Sequence, residues 1–242
     1  MKIHGTAKGG ALSKKDFGVA FGGAATSSWD YTSDFSSSDG WTSTASEISV
    51  DTTNEEIDFA FTRDNSNQAL GRDFDVIDDA TWIFRAYEWN FSTLTGQDSS
   101  VETFFGFSDK DQDSSSVISQ DSLVNFHRYL SSEAKQYGAS ESDGSAMRRS
   151  SDELLSWTPS TGTNYYLQCR RMTSTAFNTN VFDNAGFTST VNAQSDAIIP
   201  STIISLQYLK YMNDKRGAQA GSTITGTLQQ IKFADGVSVA PS

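Results

Sequence analysis

Carboxylates at alternate positions are the first residues here whose spacing could do chemistry. Glu56 and Asp58 alternate within EIDFAF (56–61), so on a strand they share one face with Ala60, while Ile57, Phe59 and Phe61 share the other. A retaining glycosidase needs two carboxyl groups about 5–5.5 Å apart, one as nucleophile and one as acid/base. The next same-face position holds Ala60, so the proton donor is missing and the segment reads as a half-buried strand. Asp109, Asp111 and Asp113 alternate within DKDQDS. Three carboxylates so spaced suit a hard cation such as Ca2+, which takes about six to eight oxygens. A twelve-residue calcium loop would want Gly at Ser114 and Glu at Gln120, so the match is partial. Asp75, Asp78 and Asp79 form a second acidic turn.

Other reactive sets are thin. His4 and His127 are too few for a histidine metal site, and His127 in FHRY reads as a rim side chain. The single Cys169 excludes an internal disulfide and reads as a small buried strand residue. Gly9-Gly10 and Gly22-Gly23 lack the strand and the Lys-Ser/Thr of a phosphate loop. Arg148-Arg149 and Arg170-Arg171 are isolated pairs that balance acidic neighbours. Aromatic rings remain. Their faces stack on the apolar side of a sugar when amides and carboxylates stand beside them. Tyr87, Trp89, Tyr129, Trp157, Tyr208 and Tyr211 are the glycan-contact candidates, most of them competing with a core role.

The element that must position these groups is Thr81–Thr95, TWIFRAYEWNFSTLT. A period of two puts Trp82, Phe84 and Ala86 on one face and Ile83, Tyr87, Trp89 and Phe91 on the other, interrupted by Arg85. Rings and β-branched residues on both faces, without Gly or Pro in Trp82–Phe91, predict a strand in the middle of a covered sheet. Further strands are expected at Trp29–Phe35, Ile48–Asp51, Glu56–Arg63, Val101–Ser108, Ser122–Leu130, Tyr165–Met172, Ala176–Phe182, Ile203–Met212 and Ser222–Phe233. Turn signals separate them, among them Ser38-Asp39-Gly40 and Asp183-Asn184-Ala185-Gly186. Ser151–Leu155 could start one helical turn, and 131–150 reads as a polar excursion or hairpin. This spacing argues for an all-β sandwich or barrel.

With 242 residues the chain fits one large β domain, and its 16 Phe, 8 Tyr and 5 Trp can fill a sizeable core. No run of about 18 apolar residues is present, so no membrane span is expected. MKIHGTAKGGALSKKDF has no apolar stretch of the secretory kind. The charge of −12 is uneven: residues 1–25 carry +3, 26–123 carry −16 and 124–242 carry +1. An acidic body repels nucleic acid and suits solubility or cation capture. Residues 1–25 hold six Gly and five Ala, too little to bury for folding alone. That segment is either a disordered tail or an assembly arm, in which Phe17, Val19 and Phe21 add a short strand to a neighbour's sheet.

The succession WDYTSDFSSSDGW (29–41), ISVDTTNEEIDFAF (48–61), TWIFRAYEWNFSTL (81–94), FFGFSD (104–109), TNYYLQCRRMTSTAFNTNVF (163–182), LQYLKYMND (206–214) and TGTLQQIKF (225–233) resembles the concanavalin A-like, laminin-G-like jelly-roll group. The likeness spans about residues 29–235, leaves out the arm, and marks strand order rather than a reactive group. It implies two antiparallel sheets, one flat and one concave, with ligands on the concave face or rim loops, often beside Ca2+. Laminarinase-like hydrolases of this fold carry E-x-D-x-(x)-E on one strand. Glu56 and Asp58 match its start, while Ala60 or Phe61 stands where the second Glu belongs. The expectation is therefore a non-catalytic structural or adhesion protein of a virion or extracellular surface assembly, a homo-oligomer or neighbour-binding component. A stand-alone glycan-binding lectin is the alternative, and a hydrolase a distant third.

Overall fold

The computed structural model describes residues 28–62, 68–95, 101–110, 120–129, 136–144, 147–148, 155–213 and 223–241. These form two antiparallel sheets facing each other, with no helix among the described residues. Strands are numbered in chain order. In one sheet β14 (Thr190–Ile198), β13 (Ala176–Phe182), β12 (Asn164–Thr173), β6 (Trp82–Thr95), β16 (Thr223–Leu228), β4 (Glu56–Thr62) and β3 (Ile48–Asp51) follow in that spatial order. Here β17 (Gln230–Asp235) also pairs with β6, and β1 (Tyr31–Ser33) pairs with β17. The other sheet runs β10 (Met147–Arg148), β9 (Gln136–Asp143), β8 (Asp121–Tyr129), β7 (Val101–Ser108), β15 (Tyr208–Asn213), β5 (Ala69–Asp73) and β2 (Trp41–Ser43). There β11 (Leu155–Ser156) pairs with β9.

The expected central strand is β6, hydrogen-bonded along one side to β12 and along the other to β17 and then β16. Its inward rings meet those of the facing sheet: Phe84 lies 5.2 Å from Phe105, Trp82 lies 5.0 Å from Phe107, and Phe61 of β4 lies 4.9 Å from Tyr211. Edge-on and tilted ring pairs of this kind add roughly 0.5–1.5 kcal/mol each beyond their area burial. A smaller apolar cluster, Ala69, Phe104, Val124, Phe126 and Met212, is buried on the opposite face of the second sheet.

Period-two reading of β6 fails at one residue. Glu88 has a left-handed backbone (φ 54°), and the pairing with β12 slips between Tyr165 and Leu167. This bulge inserts a residue, so Trp89 and Phe91 rejoin Trp82, Phe84 and Ala86 in the core instead of sharing the outer face with Tyr87. On the other side of β6, Gly226 packs so closely that a Cβ would sit 1.9 Å from the Asn90 carbonyl oxygen. That is the close approach for which a strand keeps glycine.

Ile48–Asp51, Val101–Ser108 and Ala176–Phe182 form strands with the expected bounds. The segment Ile203–Met212 becomes a strand only from Tyr208, because a turn from Pro200 to Ile203 and the left-handed Ser205 (φ 58°) precede it. Ser222–Phe233 is broken at Gln229 into β16 and β17. The 131–150 excursion contains the hairpin of β9 and β10. The proposed helical turn falls outside the described residues, except Leu155, which is in β11.

Candidate functional site

Three neighbouring strands lose their regular pairing along one line. β6 bulges at Glu88, β12 slips at Tyr166, and β17 gives way to β16 at Gln229, whose N–H donates to the Tyr87 carbonyl at 3.1 Å. A cavity of about 300 Å³ opens there on the outer face of the sheet. Tyr87 and Tyr166 supply its rings, Glu88, Glu55 and Asp34 its carboxylates, and Asn54, Gln229 and Gln230 its amides. Glu55 is also left-handed (φ 56°). Non-glycine residues in that region are strained by about 1–3 kcal/mol each and concentrate at ligand sites.

The rings are held in place. Phe187 lies 5.1 Å from Tyr87, 6.0 Å from Tyr166 and 5.3 Å from Phe182. It is delivered by the expected turn at 183–186: its N–H donates to the Asn184 carbonyl, and the Asn184 side chain accepts from the Thr188 and Ser189 N–H groups. The Arg85 guanidinium lies 3.9 Å over Phe187 and donates to Gln168 Oε1 at 2.9 Å. Lys232 lies 5.2 Å over the Tyr87 ring.

A relay fixes the Glu88 carboxylate. Asn90 Nδ2 donates to Asn164 Oδ1 at 2.7 Å, and Asn164 Nδ2 donates to Glu88 Oε2 at 2.9 Å. Burial pushes the Tyr87 hydroxyl above its ordinary pKa against the opposing Arg85 charge. Burial and then the Glu88 charge push Tyr166 up as well. Both phenols are therefore neutral donors at physiological pH. The cleft combines two phenol rings in edge-to-face contact at 6.3 Å, the Glu88 carboxylate held by Asn164, and amides, a set suited to hydroxyl-rich ligands.

A larger hollow, about 650 Å³, is lined by Asp30, Asp73, Asp75, Asp78 and Asp235 beside Tyr31, Arg72 and Phe74. Much of its polarity serves the chain itself. Asp235 Oδ1 accepts from the Asp78 N–H, Asp30 Oδ2 from the Asp235 N–H, and Asp73 Oδ1 from the Asp75 N–H and Gln207 Nε2. Arg72 pairs with Asp39 at 3.4 Å and lies 4.3 Å over Tyr31. Of the second acidic turn, Asp79 accepts from the Ser205 N–H and stands 4.0 Å from the buried Arg171.

Of the rings singled out in the sequence whose side chains are described, Tyr87 alone lines the cleft. Trp89, Trp157 and Tyr211 are 0%, 6% and 0% exposed and offer no face to a sugar, which corrects the expectation for them. The bulge turns Trp89 inward, where its Nε1 donates to Tyr211 Oη at 3.1 Å. Tyr208 is half-buried on the other sheet, its hydroxyl accepting from Gln207 Nε2. Tyr129 ends β8 opposite Val101, and its side chain lies outside the described part. His127 is not at the rim: it is buried against Trp89, Phe91 and Trp157 at 5.4–6.0 Å. Tyr166 was missed, although the Tyr165-Tyr166 doublet on a strand must send one ring to each face.

Glu56 and Asp58 stand on the outer face of β4, both carboxyls raised first by burial and then by neighbouring carboxylates. Ala60, the third position of that face, lies opposite Thr225. Asp109 follows β7, whereas Asp111 and Asp113 lie outside the described residues, as do Phe17, Val19 and Phe21. Among the described residues, no three of His, Cys, Asp and Glu are grouped to hold a metal. Cys169 is fully buried, and burial pushes its thiol far up.

Two antiparallel sheets with aromatic rings between them, and no helix among the described residues, give this chain the lectin-type sandwich fold of the concanavalin A-like class. The carbohydrate recognition domain of Emp47p is similar to it at TM-score 0.58 and 12% identity, over 87% of this chain and 97% of that one. The exoplasmic/lumenal domain of VIP36, in its Ca2+/Man3GlcNAc-bound form, is similar at TM-score 0.58 and 6% identity, over 87% and 90%. The CBM2 module of the evolved Dit of Lactobacillus casei BL23 phage J-1 is similar at TM-score 0.53 and 13% identity, over 84% and 93%. No protein-family model and no curated protein matches the sequence.

Proposed function

We propose that this protein is a non-catalytic glycan-recognition module of an extracellular or virion surface, binding through the cleft at the β6 bulge. One observation carries the reading: the strained Glu88, held by the Asn90–Asn164 relay, lines one cleft with the edge-to-face ring pair Tyr87 and Tyr166. Such pre-organised acceptors beside aromatic faces bind sugars with little ordering cost. The sugar ligands named for VIP36, mannose and Man3GlcNAc, are in keeping with this use of the fold. Screening the protein on a glycan array, with Tyr166→Ala as control, tests it. Array binding that Tyr166→Ala leaves untouched would move the site elsewhere.

The likeness to the CBM2 module of a phage Dit protein favours a second, compatible role in surface assembly. In it, residues 1–25 join copies or neighbouring proteins through Phe17, Val19 and Phe21. Removing residues 1–25 should then lower the mass seen by light scattering. Unchanged mass would end this reading.

Calcium belongs to the same proposal. Asp109 Oδ1 is buried without a hydrogen-bond donor, and the Asp121 carboxyl is raised by burial and by the charges of Asp109 and Asp143. A hard cation would relieve that repulsion. Asp109, Asp111 and Asp113 would hold the ion.

A further inference from the structure

We infer that the Tyr87–Tyr166 cleft selects neutral and amine-bearing sugars and excludes acidic ones; this rests on the glycan-binding reading above. The lining carries three carboxylates, Asp34, Glu55 and Glu88, and no Lys or Arg. The nearest cations are already engaged. Arg85 is spread over Phe187 and bonded to Gln168, and Lys232 covers the Tyr87 ring. The strong contacts to a uronate, sialate or sulfate come from guanidinium or ammonium donors aimed at its oxygens. None lines the cleft.

The carboxylates also decide what does bind. An ionised carboxylate only accepts hydrogen bonds, so sugar hydroxyls and ammonium groups complement it while another anion does not. Asn164 occupies Glu88 Oε2, which leaves Oε1 for a ligand donor. Glu88 and Glu55 lie on left-handed backbone whose conformation fixes where their side chains start. The three lining carboxylates outnumber the two cations at the Tyr87 ring, Arg85 and Lys232, and the net negative charge left weakens binding of an acidic sugar by about tenfold at low salt.

The test is an array of matched pairs, each neutral glycan beside its counterpart carrying one added carboxylate or sulfate, read at low and high salt. The expected result is tighter binding of the neutral or amine-bearing member by about tenfold, a gap that narrows as salt screens it. Glu88→Gln, which keeps an acceptor for Asn164, should narrow the gap several-fold at an unchanged melting temperature. Equal or tighter binding of the acidic members would overturn the inference while leaving glycan binding intact. Binding to no glycan would overturn the glycan reading and this inference with it.

Discussion

Tyr87 and Trp89, one residue apart on the same strand, face opposite sides of their sheet. Residues i and i+2 of a strand ordinarily share a face. Here the left-handed Glu88 between them absorbs an extra residue, so Tyr87 meets Tyr166 and Phe187 outside while Trp89 meets Tyr211 inside. Deleting Glu88 removes that extra residue, so simple alternation keeps Tyr87 outside and Trp89 and Phe91 in the core. The expected outcome is a cooperative thermal transition like that of the parent, with the Glu88 carboxylate and the glycan binding of the cleft lost. A deletion variant that no longer melts cooperatively would show that Glu88 is not a simple insertion in the ring alternation.

The Trp89–Tyr211 hydrogen bond crosses the core between the sheets. Tyr211→Phe removes the acceptor and leaves the buried indole N–H unpaired, a loss of about 1–3 kcal/mol. For a chain of this size, each kcal/mol lowers the melting temperature by about 2–4 °C. Calorimetry should show that drop while glycan binding stays at the parent level, which separates a core ring from a ligand ring.

Asp235 gives a pH signature. Burial, with the Asp78 and Asp30 charges, raises its carboxyl, while the Asp78 and Gly236 N–H groups it accepts from pull the other way. A carboxyl raised in the folded state binds its proton more tightly there than in the unfolded chain. It therefore leaves stability untouched below the ordinary carboxylate range and lowers it as pH rises through that range to the raised value. Asp235→Asn should raise the melting temperature at neutral pH, an advantage that vanishes in acid below about pH 3.9. An advantage that persisted in acid would assign the effect to packing.

Chelation addresses the ion. If Asp109 and its loop hold Ca2+ in the folded state alone, calcium at about 100 times its dissociation constant adds about 2.7 kcal/mol. Excess chelator should lower the melting temperature, and Asp109→Asn should abolish the difference. An unchanged melting curve with and without chelator would remove calcium from the account.

Much of the sandwich was legible because aromatic and β-branched alternation is dense in Trp82–Phe91, Val101–Ser108 and Ala176–Phe182. Thr190–Ile198 escaped because an edge strand, paired on one side to β13, needs no such alternation. The cleft was half visible. Tyr87 stood out as an aromatic on the central strand, yet its partner across β12 did not, since pairing brings Tyr166 beside it and pairing is not written locally. The bulge was hidden for a sharper reason. Left-handed backbone is usually announced by glycine, and here a glutamate holds it through contacts with Asn164 that lie 76 residues away in sequence. His127 misled for the opposite cause: a polar name in FHRY suggests water, while its ring fills an aromatic gap.

Tyr166→Ala is the direct measure of the central claim, because it removes one ring face of the cleft without entering the core. With glycan affinity and melting temperature measured on the same preparation, affinity should fall at least about tenfold, as expected for loss of a stacking ring worth roughly 1.5 kcal/mol. The melting temperature should hold within a few degrees. Undiminished affinity in a folded Tyr166→Ala protein would contradict the account.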